Sequence, residues 1–423
     1  VYETFIERME GDPKLFADEP LQRVRIDLLP EYRIQKWAYL ESAAKWKAWN
    51  KHFLEAKDAY EELVAFDPGN AEALFDDAQV KCSLGLCDEE RAPYEVLLRM
   101  DPTHVQAKRG LERNDLRSRP KIGIDARTWS EKGRGDLSDI VVHRIQMLAE
   151  MPIRQDRYAV SAGMDSFFER PGSTDRTVEA LGYTLHARGV LLPSLSGNLK
   201  WTHKVYQEAD LGTSDFFDAA IRWKIRDWLD IDFGFERTDE IANAFALQQQ
   251  SRADHWKIGI HSQITRCLEA GLKAEAIDYV DDNSGKRVSG SIGYAFTDHP
   301  KIVKVILSET YRDTQQANRF FYQDDRLVDI VHPYWTPQSL TESTVTLEWV
   351  HDLARELFCG APENVYDLRL SFGTDTEDNV MVRLEGDWKL EIADHWLLVL
   401  RGLIHESRQW DASGVWAEVR YRF

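Results

Sequence analysis

The chain has 423 residues, of which 43% are hydrophobic and 30% charged, with a formal net charge of −19; that length allows two or three ordinary domains, or one large barrel with an appendage. The acidic balance argues against a nucleic-acid partner, which requires a basic face to displace counterions. No apolar run reaches the roughly 18 residues a membrane helix needs, the densest cluster lying at 396–400, so a helical membrane protein is excluded while a transmembrane β-barrel, hydrophilic on average, is not.

In chain order, residues 1–36 read as a partly helical segment interrupted by Pro13, Pro20 and Pro30. Two windows then align at a period of 34. Ala56, Tyr60, Leu63, Asp67 and Pro68 recur as Glu90, Tyr94, Leu97, Asp101 and Pro102. Small residues where helices cross, an aromatic between helices and Asp-Pro at the helix end resemble the tetratricopeptide repeat. We place one repeat at about 37–70, a second at 71–104 and a capping helix at 105–116, so that 37–119 forms a tetratricopeptide-like unit. Two positions depart from the pattern: Glu90 stands where a small residue is usual, and Lys51 where Gly is common.

The four cysteines, Cys82, Cys87, Cys267 and Cys359, are too few for a disulfide scaffold and lack CxxC spacing, so no metal site is expected. Cys82 and Cys87 stand either as a local bridge or, the preferred reading, as buried thiols. The first residue is Val1, without an initiator Met or signal peptide, which reads as a mature or trimmed chain.

From Lys121 the apolar period becomes two. Ile221, Trp223 and Ile225 alternate with Arg222, Lys224 and Arg226; Leu229, Ile231, Phe233 and Phe235 alternate with Asp230, Asp232, Gly234 and Glu236. Strands of ten or more residues exceed the usual length in soluble sheets and predict a membrane-spanning barrel over 120–423. Sixteen strands are predicted at 121–130, 139–151, 157–168, 177–188, 197–207, 216–226, 228–238, 254–264, 268–279, 287–297, 301–313, 339–351, 364–373, 379–392, 396–406 and 413–423. Short turns are placed near Asp227, Arg266, His299 and Asp394 on the periplasmic side, a long loop at 314–338 outside, and a helical turn at 353–358. The fold class is thus an α-helical tetratricopeptide-like N-terminal segment followed by a transmembrane antiparallel β-barrel of about 16 strands.

The last strand alternates Val415, Ala417, Val419, Tyr421 and Phe423 to its end. The pair Tyr421 and Phe423 resembles the assembly signal of bacterial outer-membrane barrels. Together with the repeats and the run Tyr334-Trp335-Thr336-Pro337, it resembles the Gram-negative exopolysaccharide exporters that include the poly-N-acetylglucosamine and cellulose export subunits. The resemblance implies a porin-like polysaccharide export protein of biofilm formation in the outer membrane, with its repeats in the periplasm. It implies partners: an exopolysaccharide passenger, periplasmic or inner-membrane synthesis and export proteins, the barrel assembly machinery and outer-membrane lipid. The alternative is an outer-membrane adsorption receptor with a plugged barrel, which shares this layout. A third reading makes the barrel an anchor for a recruiting scaffold.

No catalytic constellation is present and no cofactor is expected. Gly133-Arg134-Gly135 is explained by turn geometry. Adjacent pairs such as His405-Glu406 point to opposite faces of a strand. The candidate polymer path is the inward parity: Arg222, Lys224, Asp230, Asp232, Glu385, Asp387 and Glu391, with Trp416 and the loop residue Trp335 as candidates for stacking on sugar rings. Trp223, Trp228, Trp256, Trp388 and Trp396 are assigned to interface girdles. Residues 120–423 carry 35 basic and 48 acidic side chains, so an acidic lumen that prefers a neutral or cationic passenger is expected.

Overall fold

The computed structural model describes residues 30–135, 137–172, 177–208, 211–354 and 358–423. The chain divides into two compact units: a helical one ending at Asp115 and joined by Phe358–Gly360, and a second formed by Leu116–Leu357 and Ala361–Phe423. The segment expected at 1–36 lies mostly outside the described residues.

The helical unit consists of α1 (Pro30–Trp49), α2 (Phe53–Phe66), α3 (Ala71–Ser83), α4 (Cys87–Met100) and α5 (Val105–Arg117). Pro30 does not break the helix but belongs to it, as the first described residue of α1. Asn70 caps α3, its side chain accepting from the Ala73 N–H at 3.0 Å. The 34-residue spacing is visible in the backbone. Lys51 and Gly85 both adopt a left-handed conformation, at φ 63° and 71°, so Lys51 occupies the turn that glycine fills in the next window.

The core follows the same period. Tyr60 and Tyr94 are buried, as are Leu63 and Leu97. The Tyr94 ring lies so close to α5 that a Cβ on Gly110 would meet it at 2.5 Å. Glu90, the departure from a small residue, is fully buried and accepts from Asn114 Nδ2 at 3.2 Å.

The local bridge does not form, and the buried-thiol reading holds for Cys87 but not for Cys82. Cys82 forms a disulfide with Cys359, 277 residues away, while Cys87 is buried. The reason is local: the Cys359 N–H also donates to Gln79 Oε1 on α3, which brings the Phe358–Gly360 turn to Cys82. That turn is not helical at Leu353, Ala354 or Phe358, contrary to expectation; 355–357 lie outside the described residues.

The second unit is a closed antiparallel barrel. Its strands are β1 (Lys121–Gly133), β2 (Ser138–Ile153), β3 (Tyr158–Pro171), β4 (Val178–Leu192), β5 (Leu195–Tyr206), β6 (Thr213–Arg226), β7 (Leu229–Asp239), β8 (Arg252–Gln263), β9 (Leu268–Tyr279), β10 (Ser284–Ala295), β11 (Lys301–Thr314), β14 (Leu340–Asp352), β15 (Asn364–Asp375), β16 (Val380–Ile392), β17 (Trp396–Ser407) and β18 (Trp410–Arg422). These are the sixteen predicted strands. Closure is by β1 against β18, from Lys121 opposite Arg422 to Gly133 opposite Trp410, which leaves no open edge.

Both barrel ends therefore lie on one rim, together with the short turns near Asp227, Arg266, His299 and Asp394. The opposite rim carries α6 (Ala244–Gln248) and the longest insertion, 315–339, which is not a plain loop: it holds the hairpin β12 (Arg319–Gln323) and β13 (Arg326–Val331). No helix among the described residues is long and apolar enough to cross a membrane.

Candidate functional site

Directly opposed residues of an antiparallel pair share a face, so the register sorts the barrel wall. Arg222 opposes Asp232 and Lys224 opposes Asp230. Glu385, Asp387 and Glu391 share one face of β16, opposite Leu403, Arg401 and Leu397. Arg401 opposes Trp416, which opposes Arg127. That continuous face is the lumen. On it Asp165 is buried and accepts from Gln146 at 3.2 Å and from the Thr184 hydroxyl at 2.7 Å. The other face carries Ile221, Trp223, Phe233, Trp256, Leu384, Trp388 and Trp396, all exposed around the outside. A soluble sheet would not leave such residues facing water; a lipid-facing belt requires them. All eight sequence-selected wall residues point inward.

Many of the inward charges are paired rather than bare. Arg222 meets Asp232 at 2.7 Å, Lys224 meets Asp230 at 3.3 Å, Arg401 meets Asp387 at 2.8 Å and Arg422 meets Glu391 at 2.7 Å. Arg383 pairs with Glu385 along the same strand. Lys304 bridges Glu269 and Glu348, at 2.9 and 2.8 Å. Acidic and basic side chains nearly balance on the inward faces of the strands. The expectation of an acidic lumen is thereby corrected. The acidic excess of the barrel segment resides in rims and loops, Asp281, Asp282, Asp324 and Asp325 among them. Opposite charges on neighbouring strands neutralise each other because the register sets them side by side.

Trp416 lines two lumen cavities, of about 250 and 790 Å³, with Arg401 common to both. Trp335 does not project outward. It lines a third cavity of about 590 Å³ together with Arg134, Arg312, Ser308 and Thr346. The Arg134 guanidinium lies 4.0 Å from the Trp335 ring centre and 4.3 Å from that of Trp410, and Arg312 lies 5.3 Å from Trp335. Burial at this rim pulls Arg134 down to about 10, which leaves it charged at neutral pH. The cluster joins the β1–β2 turn and the neighbouring β18 to β11, which lies beyond β17, β16, β15 and β14 around the barrel.

The 315–339 insertion is anchored at this rim by its own sequence. Tyr334 donates to Asp281 at 2.7 Å and stacks on Tyr279 at 4.0 Å between ring centres. Asn318 Nδ2 donates to the His332 and Tyr334 carbonyls at 2.6 and 2.5 Å. Asn243, at the start of α6, donates to the Leu137 and Pro333 carbonyls at 2.7 and 3.0 Å. In the run Tyr334-Trp335-Thr336-Pro337, the buried Tyr334 and Thr336 act as anchors, and the half-buried Trp335 turns into the lumen.

Sequence reasoning missed Arg134, Arg312, Trp410 and Trp129. Gly133-Arg134-Gly135 is the turn it was read to be, with φ of 115°, 55° and 68°, but nothing local reveals where the Arg134 side chain goes. For Trp129 a signal existed: inward parity with Asp125 and Arg127 on the same strand. Among the described residues, no group of three or more His, Cys, Asp or Glu is arranged to hold a metal ion.

No known family model matches this sequence, and no curated protein matches it. Solved structures do. A structure described as a bacterial polysaccharide outer membrane secretin superposes with a TM-score of 0.54 at 13% identity, covering 73% of this chain and 99% of that one. Pseudomonas aeruginosa OccK11 (OpdR) gives 0.37 at 11% identity over 72% of this chain and 95% of that one. Acinetobacter baumannii OccAB1 gives 0.37 at 8% identity, covering 72% of this chain and 96% of that one. The closed sixteen-stranded barrel with its apolar outer belt thus has the architecture of an outer-membrane β-barrel and the fold of that polysaccharide secretin.

Proposed function

We propose that the chain is an outer-membrane conduit through which an exopolysaccharide leaves the cell. The observation that carries this reading is the inner wall: ion-paired Arg, Lys, Asp and Glu alternating with cavities and an inward Trp416. A hydroxyl-rich polymer needs many weak polar contacts, because conduction fails where any one site binds too strongly. Each paired charge offers hydrogen bonds to hydroxyls without presenting a net field. A neutral polymer fits such a wall best; a polyanion would find no attraction to offset its own repulsion, which is screened over only about 8 Å. The resemblance to polysaccharide exporters and the shared fold with a polysaccharide secretin support the same passenger class.

In this reading the rim with both barrel ends and the short turns faces the periplasm, as in barrels whose long loops lie outside. The tetratricopeptide-like helices, assigned to the periplasm by the same reading, dock the polymer or the synthesis and export proteins. Tyr421 and Phe423 address the barrel assembly machinery. The role is transport, without catalysis. Deletion in the native host followed by sugar analysis of secreted material tests it: one exopolysaccharide should be lost from the medium. Unchanged secretion of every exopolysaccharide overturns the export reading.

A second reading, the adsorption receptor, is favoured by the Arg134, Trp335 and Trp410 cluster across the far rim. Loss of phage or protein-ligand binding on deletion, with secretion intact, would select it.

A further inference from the structure

On the inner wall, at the closure of β1 against β18, two tryptophans lie over a glycine. Trp129 is directly opposite Gly414, and Trp416 follows two residues later on the same face. A Cβ on Gly414 would meet Trp416 Cη2 at 2.5 Å and Trp129 Cε3 at 2.9 Å. Both indoles therefore reach into a recess over Gly414 that only the missing side chain provides. Their ring centres are 6.2 Å apart at 41°, and both remain half-buried rather than covered. Polar groups border the recess. Arg401 opposes Trp416 and holds Asp387 at 2.8 Å; Arg127 opposes it on the other side and pairs with Asp125. The two lumen cavities meet at Trp416 and Arg401.

We propose that Trp129 and Trp416, seated over Gly414, form a stacking platform for the pyranose rings of an uncharged oligosaccharide, with Arg127, Arg401 and Asp387 hydrogen-bonding its hydroxyls. The inference rests on the export reading and names its contact point. A pyranose presents an apolar C–H face that a flat indole matches, and hydroxyls at its edge that need charged or amide partners. The arrangement supplies both. It differs from Trp335, whose ring is already engaged by Arg134 at 4.0 Å. It also differs from the outward tryptophans, which the register turns toward lipid.

An aromatic laid over a cross-strand glycine also stabilises a sheet, so the test must read binding. The full chain in detergent is mixed with cellohexaose, and saturation-transfer NMR follows the axial ring protons. Folding is checked by the faster gel migration of an unheated barrel. Trp416→Ala and Trp129→Ala should each lower the transfer at least threefold, and Gly414→Ala, which lifts both rings, should lower it too. Trp335→Ala should leave it unchanged. Should Trp416→Ala fail to fold, Trp416→Leu fills the recess without a flat face and should give the same loss. Equal transfer in the folded Trp129 and Trp416 variants overturns the platform while leaving export untouched. So does loss on Trp335→Ala alone, which would move binding to the rim. Absence of transfer to the native chain also overturns it, and the secretion assay then decides export separately.

Discussion

Tyr94 shows how one side chain carries the helical unit. It is buried between α4, α3 and α5, accepts from Gln79 Nε2 at 2.5 Å and rests on Gly110. Tyr94→Ala should destabilise the unit by about 3–5 kcal/mol, the range for deleting a large buried aromatic. Tyr94→Phe should cost about 1 kcal/mol, the net worth of one hydrogen bond. Hydrogen exchange of α3–α5 in the full chain measures both, and the barrel should still migrate as a folded one. Lys51 teaches the complementary lesson. At φ 63° it carries a cost that Gly85 avoids at the equivalent position, and Lys51→Gly should slow exchange in α2 by an amount equivalent to about 1 kcal/mol.

At the scale of elements, β18 closes the barrel against both β1 and β17. Phe423, the residue that follows β18, is exposed and edge-on to Tyr421 at 5.3 Å. Its backbone, not its ring, makes the closing bonds: the Phe423 N–H to Pro120 O at 3.2 Å, and Arg119 Nη1 to Phe423 O at 3.0 Å. The ring stays exposed, as recognition by an assembly machinery would require. Phe423→Ala should lower the folded fraction in the outer membrane and leave the conductance of folded molecules unchanged; an equal folded fraction in fractionated membranes would contradict it. The turn between β14 and β15 gives a second element-scale expectation. Its Cys359 is bonded to Cys82, as suits an oxidising compartment. An unreduced digest of the native protein should contain one peptide pair joined through these two residues, and a Cys82–Cys87 pair should be absent.

For the whole molecule, the far rim is where separated parts of the wall are drawn together. Arg134, Trp335, Trp410 and Arg312 tie distant parts of the wall together, and the 315–339 insertion is held there by Asp281 and Asn243. Removing the cation that Trp335 meets should loosen this closure without touching the strands. Single-channel current in planar bilayers should rise at least twofold for Arg134→Ala together with Trp335→Ala. The strand register, and so the apolar belt, should be unaffected. An unchanged current would place the resistance elsewhere in the lumen.

The sequence alone predicted sixteen strands, their approximate spans, the parity of residues along them and the grouping of the short turns on one rim. A half-buried strand writes its two environments into successive residues, so Arg222, Asp232, Asp387 and Trp416 could be turned inward from alternation alone. The 34-residue period likewise placed Tyr60 and Tyr94 in equivalent sites before any helix was seen. What alternation cannot record is which distant residues meet. Cys82 finds Cys359 only because a turn 277 residues later reaches α3. The −13 balance of the barrel segment becomes a nearly neutral lumen only once the register sets arginine against aspartate and leaves the loops acidic. Trp335 turns inward, and Trp129 settles over Gly414, because barrel closure brings β1 beside β18 and one rim of the wall within reach of another. Period and parity are local consequences of backbone geometry; partners across the lumen are fixed by closure, which exists only in the folded whole.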